Sequence, residues 1–458
     1  MVSCRYTLGK IVLKQNLDAG DRRLLKQTMI MQPTDKEIWY RTDNAGRIFA
    51  SPGSLNNVYR ISVTLKEIIH ADLLQKALEN IMIRFPYFSV QVRPAVFWSH
   101  LRINTSTPQV TADARYPCQQ LHFRRQGQFP FRVRAFYKRI AVEFTHALTD
   151  GTGALQFLRS LTAEYLRLRG VRFEPTDDLM HPDQTQDPQE SEDAFRRYWQ
   201  KGLPRPAPAQ KAFRLETPCD RKGIYHITTG LLPLDKTLGI ARQYGISITE
   251  LVVALCLDTF QSVFQSLSRR QRKRNNRPIC IEVPVNLRPL FPSRTLRNFF
   301  VSATVCIDPR LGMYSFEQII KRVHHTLRNA LDDKELSRQI SRNVGAERHP
   351  LLRIVPHFLK DKVLPEIYRQ YSLKSSTSSI SNLGRVTMPD ALAEQIERFD
   401  FVPTYPNIRR IGCAMISFSD HLTLTFGRTT IDPVIERGVF RRLASLGCPI
   451  HVETNGGE

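Results

Sequence analysis

No run of residues in this 458-residue chain is apolar for long enough to cross a bilayer. The longest strongly apolar stretch, Leu251–Leu257, falls far short of the roughly 20 residues a membrane helix needs. The opening residues, Met1-Val-Ser-Cys-Arg5, lack the continuous apolar core of a secretory leader. A cytoplasmic protein without a transmembrane segment is the expectation. The eight cysteines (Cys4, Cys118, Cys219, Cys256, Cys280, Cys306, Cys413 and Cys448) include no CxxC pair, which removes metal ribbons and thioredoxin-like redox motifs. Cys256, Cys306 and Cys413 sit in apolar runs, where a thiol behaves as a small core residue, so reduced and mostly buried cysteines are expected. No HExxH spacing is present; His324-His325 and Asp332-Asp333 are read as solvated or half-buried residues, and no metal site is expected. Internal repeats are absent at the level of sequence.

Acidic residues are scarce: 43 Asp and Glu stand against 66 Lys and Arg, for a net charge of +23. Such a field favours anionic partners and says nothing about fold. Its sharpest local expression is Arg269-Arg-Gln-Arg-Lys-Arg274 with Arg277 beyond, read first as a solvated loop between a helix and a strand and second as a docking patch for an anionic partner. Nucleic acid is the weakest of the partner readings, since no recognised binding motif or interleaved aromatic set accompanies the basic run.

What is present is enough for a large core, with 41% hydrophobic and 24% charged residues, values ordinary for a globular chain. Strands are predicted at Val58–Leu65, Phe131–Tyr137 and Ile140–Thr145, with Tyr87–Val92 and the Phe97–Ile103 region expected to pair with the first of them. A helix over Ala71–Arg84 carries an apolar face and ends before Pro86; another runs from the end of the last strand to about Leu168. The stretch Glu174–Asp193 holds eight acidic residues and little to bury, and reads as an exposed crossover. Beyond it, Thr249–Phe264 is a buried helix opened by the capping box Ser247-Ile-Thr-Glu250, and a second capped helix starts at Ser315 with Gln318. Strands follow at Cys280–Val285, Phe300–Ile307 and Ile411–Phe418, the last turning at Ser419-Asp420 into His421–Phe426. The alternation predicts an α+β fold of mixed layers. The boundaries expected are an N-terminal half over residues 1–175, an acidic linker over 176–197 and a C-terminal half over 198–458.

One segment carries chemistry. Ile140-Ala-Val-Glu-Phe-Thr-His146-Ala-Leu-Thr-Asp150-Gly151-Thr-Gly153 places a histidine where a strand ends and a helix begins. The strand holds the imidazole, and the helix N-terminus offers free N–H groups and a positive dipole end. Gly151 and Gly153 permit close approaches. A neutral imidazole accepts a proton near neutral pH, and one positioned base contributes roughly 10²–10⁴-fold. That suffices for attack on an activated thioester and not for an unactivated amide.

The segment matches HxxxDG, and three further features travel with it: Ile83-Arg-Phe-Pro86, then Pro284-Val-Asn-Leu-Arg288 with Arg297-Asn298-Phe299, and Ser379-Ile-Ser-Asn382-Leu-Gly384. Together they resemble the condensation-domain and chloramphenicol-acetyltransferase-like superfamily, in particular its alcohol acetyltransferase and polyketide-associated acyltransferase branch. The resemblance implies two acetyltransferase-like halves forming a pseudo-dimer with a central tunnel, His146 at its middle as general base. It implies that Asp150 pairs with Arg288 as architecture, and that Asn382 and Gly384 shape the tunnel. Backbone N–H groups near Gly151 are the candidate oxyanion donors. The donor implied is acyl-CoA or an acidic acyl carrier protein, either of which suits the basic run; the acceptor is a small-molecule alcohol such as a lipid or polyketide, with no bound cofactor and a monomer sufficient. Thr145 stands where condensation domains of peptide synthetases carry a second histidine, and DFGWG is absent, which favours an alcohol over an amine. The alternatives are a non-catalytic condensation-like binding module and an amide-forming N-acyltransferase.

Overall fold

A computed structural model describes the chain from Trp39 to Gly456 apart from residues 51–55, 94–98, 175, 205, 207–209, 349–354, 356–358, 361, 364–365, 367–372 and 407; residues 1–38 and 457–458 also lie outside the described residues. The expectations about the N-terminal residues and Cys4 fall on the undescribed part.

Mixed sheets with packed helices make up the described chain, an α+β fold. Its first sheet has five strands in the order β12 (Ile396–Val402), β2 (Val58–Leu65), β7 (Arg139–Thr145), β6 (Phe131–Phe136) and β5 (Val110–Ala112). Two helices cover it. In α2, Ala71–Arg84, the residues Leu74, Ala77, Leu78, Ile81 and Met82 recur at helical spacing and are buried; Phe85-Pro86 ends it, because proline cannot continue the hydrogen-bond ladder. α3, Gly151–Leu168, buries Ala154, Phe157, Leu158, Leu161 and Tyr165. It closes at Gly170, whose φ of +93° permits the paired bonds Gly170 N–H to Arg167 O and Val171 N–H to Leu166 O, both 3.0 Å. The strand β7 tolerates Glu143 at 0% exposure because Arg60 and Arg132 pair with its carboxylate and hold it well inside its charged range.

The second sheet has seven strands, β10 (Phe300–Ile307), β9 (Ile279–Asn286), β11 (Ser378–Val386), β13 (Ile411–Phe418), β14 (His421–Arg428), β8 (His226–Pro233) and β15 (His451–Thr454). Its core helix, Ile248–Ser266, carries the reciprocal Ser247/Glu250 capping box and buries every residue from Leu251 to Leu257. By length and composition that helix could cross a membrane, but its apolar residues form the centre of this core together with Phe316, Ile319 and Val323 of one neighbouring helix and Ile435 and Val439 of another. Each such buried aliphatic side chain contributes about 1.5–3 kcal/mol. His324 Nδ1 donates to Glu250 Oε1 at 2.9 Å, tying the cap to the helix Phe316–Ala330.

The structure departs from the sequence reading in five places. The residues His100–Ile103 and Val90–Arg93 do form strands, but they belong to a separate three-stranded sheet with Trp39–Arg41; Tyr87 and its neighbours form the turn that leads in. Cys280 and Cys306 are joined by a disulfide, standing directly opposite each other on β9 and β10 with Cα atoms 4.1 Å apart, so the expectation of reduced cysteines holds only for Cys118, Cys219, Cys256, Cys413 and Cys448 among the described residues. The basic run is a short exposed helix, Arg269–Arg274, capped by Ser268 and Gln271, and not a loop. The acidic crossover is not simply exposed: Glu190 is buried and paired at 2.7 Å to both terminal nitrogens of the equally buried Arg84, and Leu179 and Phe195 are buried too. Finally, β12 comes from late in the chain yet completes the first sheet, Phe399 pairing with Val63.

Candidate active site

Residues 146–150 form the turn between β7 and α3, and hydroxyl groups hold its carbonyls. Tyr87 donates to Leu148 O at 2.9 Å and Tyr59 donates to Thr149 O at 3.1 Å. Burial pushes both phenols well above their ordinary range, so both remain neutral donors. Thr149 Oγ1 donates to Leu296 O at 2.5 Å. Thr145 does not face substrate space: its buried hydroxyl donates to Asn57 and receives the Ala147 N–H. The residue standing in place of a second histidine is a pin for the turn.

Asp150 is the N-cap of α3, and every part of its carboxylate is engaged. Oδ1 accepts from Thr152 N and Gly153 N at 3.1 Å and from Arg288 Nη2 at 3.2 Å. Oδ2 accepts from Arg288 Nη1 at 2.9 Å and from Phe299 N at 2.8 Å. Arg288 in turn donates to the carbonyls of Thr295 and Arg297 at 2.9 and 2.6 Å. A forked guanidinium against a carboxylate is the strongest type of ion pair, and this one joins α3 to the loop between β9 and β10. Both oxygens of Asp150 are thus committed to the protein's own donors, although the residue lines the cavity.

His146 is oriented by a residue from that same loop. Its Nδ1 lies 3.2 Å from Asn298 Oδ1. The amide nitrogen of Asn298 donates to Asp43 Oδ2 at 3.0 Å and to His146 O at 3.0 Å, two acceptors that identify which end of the amide is nitrogen. The amide oxygen therefore accepts from His146 Nδ1–H, and the proton-free nitrogen is Nε2; the Thr149 carbonyl is a further hydrogen-bond partner of the ring. The rings of Tyr59, Phe49 and Phe300 surround the imidazole at centroid distances of 4.7, 5.7 and 5.7 Å. Their burial of the ring lowers the His146 pKa below its ordinary value, outweighing Asn298, the Asp150 and Asp43 carboxylates and the Thr149 carbonyl, which pull upward. The imidazole is neutral at neutral pH.

His146 faces a cavity of about 170 Å³ whose walls come from both sheets: Tyr59, Gly151 and Thr152 on one side, and Pro284, Phe300 and Asn382 on the other. Gly151 is small because of what faces it, since a Cβ there would stand 2.6 Å from Leu383 Cδ2. Asn382 lines the cavity while its Nδ2 donates to Thr249 Oγ1 at 2.9 Å. Gly384 lies behind it: at φ +76° its N–H donates to Asn382 Oδ1 at 2.7 Å, so it shapes the wall by fixing Asn382. Among the described residues no cluster of His, Cys, Asp and Glu could hold a metal.

Sequence reasoning missed the link that orients His146. Arg297 and Asn298 entered only as part of a crossover triplet, and Asp43 entered as nothing. Asp43 caps the short helix Asn44–Phe49, accepting from Gly46 N at 2.6 Å, and Arg297 is a buried cation that donates to Arg41 O at 2.5 Å and stacks over Tyr87. The Asp43 N-cap pattern was available as a local signal; its contact with Asn298 was not.

No family model and no curated protein matches the sequence. Solved structures do. Fusarium sporotrichioides TRI101, complexed with coenzyme A and T-2, superposes with a TM-score of 0.61 at 10% identity, covering 92% of this chain and 100% of that one. Polyketide synthase associated protein 5 from Mycobacterium tuberculosis gives 0.56 at 14% identity, over 89% and 97%, and the first condensation domain of the CDA synthetase gives 0.53 at 13%, over 89% and 96%. At these identities the likeness is one of fold. Spanning about nine-tenths of the chain, it shows that this protein has the fold shared by these three structures.

Proposed function

We propose that this chain is an O-acyltransferase that moves an acyl group from acyl-CoA or an acyl carrier protein to a hydroxyl acceptor, with His146 as general base. The observation that carries the reading is a histidine that lines the cavity with its Nδ1 held by Asn298, which makes Nε2 the proton-free nitrogen. The lone pair on Nε2 takes the proton of the acceptor hydroxyl as its oxygen attacks the thioester carbonyl. The tetrahedral intermediate then collapses, the carbon–sulfur bond breaks, and the thiolate leaves with the proton from Nε2. The oxyanion forms near the positive end of α3. Thr152 N–H and Gly153 N–H are spent on Asp150, so Gly151 N–H is the donor we assign to it.

TRI101 holding coenzyme A supports CoA as a donor for this fold, and TRI3, a trichothecene 15-O-acetyltransferase with a TM-score of 0.55, supports a hydroxyl acceptor. In the proposed arrangement the cavity is the middle of a tunnel, reached by donor from one face and acceptor from the other. One chain supplies both walls, so a monomer suffices. No bound cofactor takes part. The test is thiol release from acetyl-, octanoyl- and palmitoyl-CoA by wild type and His146→Ala, with and without pooled alcohols and amines. Alcohol-dependent release that disappears in the variant is the expected result; release that survives it removes His146 as the base.

A further inference from the structure

Asn57 stands one step past the last registered pair of β2 and β7, Val58 with Thr145, so that Asn57 and His146 come side by side where the two strands end. Both residues line the cavity. Asn57 is 8% exposed, and one end of its amide is taken. Oδ1 accepts from the Thr145 hydroxyl, which itself receives the Ala147 N–H at 3.2 Å. That hydroxyl has its proton to give, so the amide end it meets is the oxygen and the other end is Nδ2. Asn57 Nδ2 makes no hydrogen bond among the described residues, yet it is not sealed inside the protein. The neighbouring amides of the cavity differ. Asn56 donates to Cys118 O at 2.7 Å and accepts from Val58 N at 3.2 Å. Asn382 is bonded at both ends, to Thr249 and to Gly384, and Asn286 is exposed, with its oxygen on Arg288. A buried polar group left unpaired by its own fold costs free energy, and an amide on a cavity wall recovers it from an acceptor in the cavity.

We infer that Asn57 Nδ2 binds the carbonyl oxygen of the acyl group, so that the oxyanion site has two donors, this side chain and Gly151 N–H. The inference deepens the acyl-transfer reading and rests on it. As the acceptor oxygen bonds to the thioester carbon, the carbonyl π pair moves onto the carbonyl oxygen. When the carbon–sulfur bond breaks, that pair returns and the thiolate takes the proton held on His146. Asn57 keeps its own protons throughout. A neutral N–H suits this task, since it neither competes for the acceptor's proton nor raises the pKa of the imidazole as a carboxylate would. The Thr145 bond fixes the amide before substrate arrives, which is the condition for a donor to favour the transition state.

Asn57→Asp separates the donor from the pin, because the carboxylate keeps an oxygen for Thr145 and loses the N–H. With kinetics taken on the upper plateau of the pH profile, Asn57→Asp and Asn57→Ala should both lower kcat about 10²–10³-fold, the usual worth of one oxyanion donor, with KM little changed. Thr145→Val removes the pin alone and should cost far less. Wild-type kcat in Asn57→Asp overturns the assignment, as does a rise in KM with kcat unchanged, which marks a contact made equally in the ground state. A second readout needs no turnover: the infrared carbonyl stretch of S-acetonyl-CoA, the ketone analogue of acetyl-CoA, isotope-labelled at its carbonyl. The bound frequency should be lower in wild type than in Asn57→Ala, and His146→Ala should leave it in place. No binding of this analogue, or one frequency in wild type and Asn57→Ala, overturns the assignment even where thiol release supports acyl transfer. If instead release survives His146→Ala while the frequencies differ as stated, the base falls and the carbonyl contact stands.

Discussion

Asn298 accepts the Nδ1 proton of His146 across the join between the two sheets, at 3.2 Å. The imidazole is carried by the end of β7 and aimed by the loop between β9 and β10. Asn298→Ala removes the side chain that, among the described residues, selects the tautomer, and a small misplacement of a reacting group is worth about a hundredfold. A fall in kcat of roughly ten- to a hundredfold, with the fold intact by circular dichroism, is expected. Asn298 also favours the protonated ring, so its loss should move the acid limb of the rate profile to still lower pH.

The wild-type pH profile follows from the same shift. In the proposed mechanism His146 works only when neutral, and burial holds its pKa below the usual 6.5 or so. Activity should therefore rise as pH climbs through a midpoint below that value and be level across neutrality. The sign for stability is the same: the unfolded chain binds this proton more readily than the folded one, so folding is favoured as pH rises through that window. A midpoint above the ordinary histidine value in kcat/KM would contradict the environment described.

Asp150→Ala is expected to behave as a stability variant. It strips three backbone N–H groups of their acceptor and leaves Arg288, whose side chain is 11% exposed, without its partner. Breaking a buried pair from one side costs about 3–5 kcal/mol. Chemical denaturation should show a loss of that size for Asp150→Ala and a much smaller one for His146→Ala, while thiol release should show the reverse order of catalytic defect per folded molecule.

The two motif glycines should respond differently to alanine. At Gly153 the new methyl would meet the carbonyl of Leu296 and the hydroxyl of Thr149, which are bonded to each other and cannot give way. A loss of about 1–3 kcal/mol is expected. At Gly151 the obstacle is the end of the Leu383 side chain. Gly151→Ala should therefore be relieved by Leu383→Ala in a double variant, measured by thermal melting, whereas Gly153→Ala should not.

Legibility followed the range of the interactions. His146, Asp150 and Gly151 could be read because a strand end, a base and an N-cap fall within six residues. Val58–Leu65, Ala71–Arg84 and Phe300–Ile307 were readable to the residue because alternation and helical spacing are local properties. What could not be read depends on register or distant pairing. Cys280 meets Cys306 only once β9 and β10 align. Ile396–Val402 was missed as a strand because its buried Asp400 looks wrong for one until Arg398 is seen beside it at 3.3 Å. Glu190 looked solvated because its partner, Arg84, lies at the far end of a helix in another part of the sequence.

That last pair gives a further prediction. Arg84→Leu and Glu190→Leu should each cost about 3–5 kcal/mol by leaving a buried charge alone, and the double variant should recover most of it. Denaturant titration of the four proteins closes the cycle. Additive losses would mean that the acidic crossover is held by something other than this pair.

The strand β12 has a consequence for how the protein is made. Its partner β2 leaves the ribosome long before Phe399, the residue that pairs with Val63. Until then the first sheet has an open edge beside Tyr59, the residue that touches both the catalytic turn and the His146 ring, and an open edge is a template for wrong partners. The cavity beside His146 is thus completed only after β12 has been made. Nascent chains stalled before residue 396 should carry neither a closed sheet nor a cavity able to bind substrate, and helper proteins that shield strand edges would matter most for this chain during that interval.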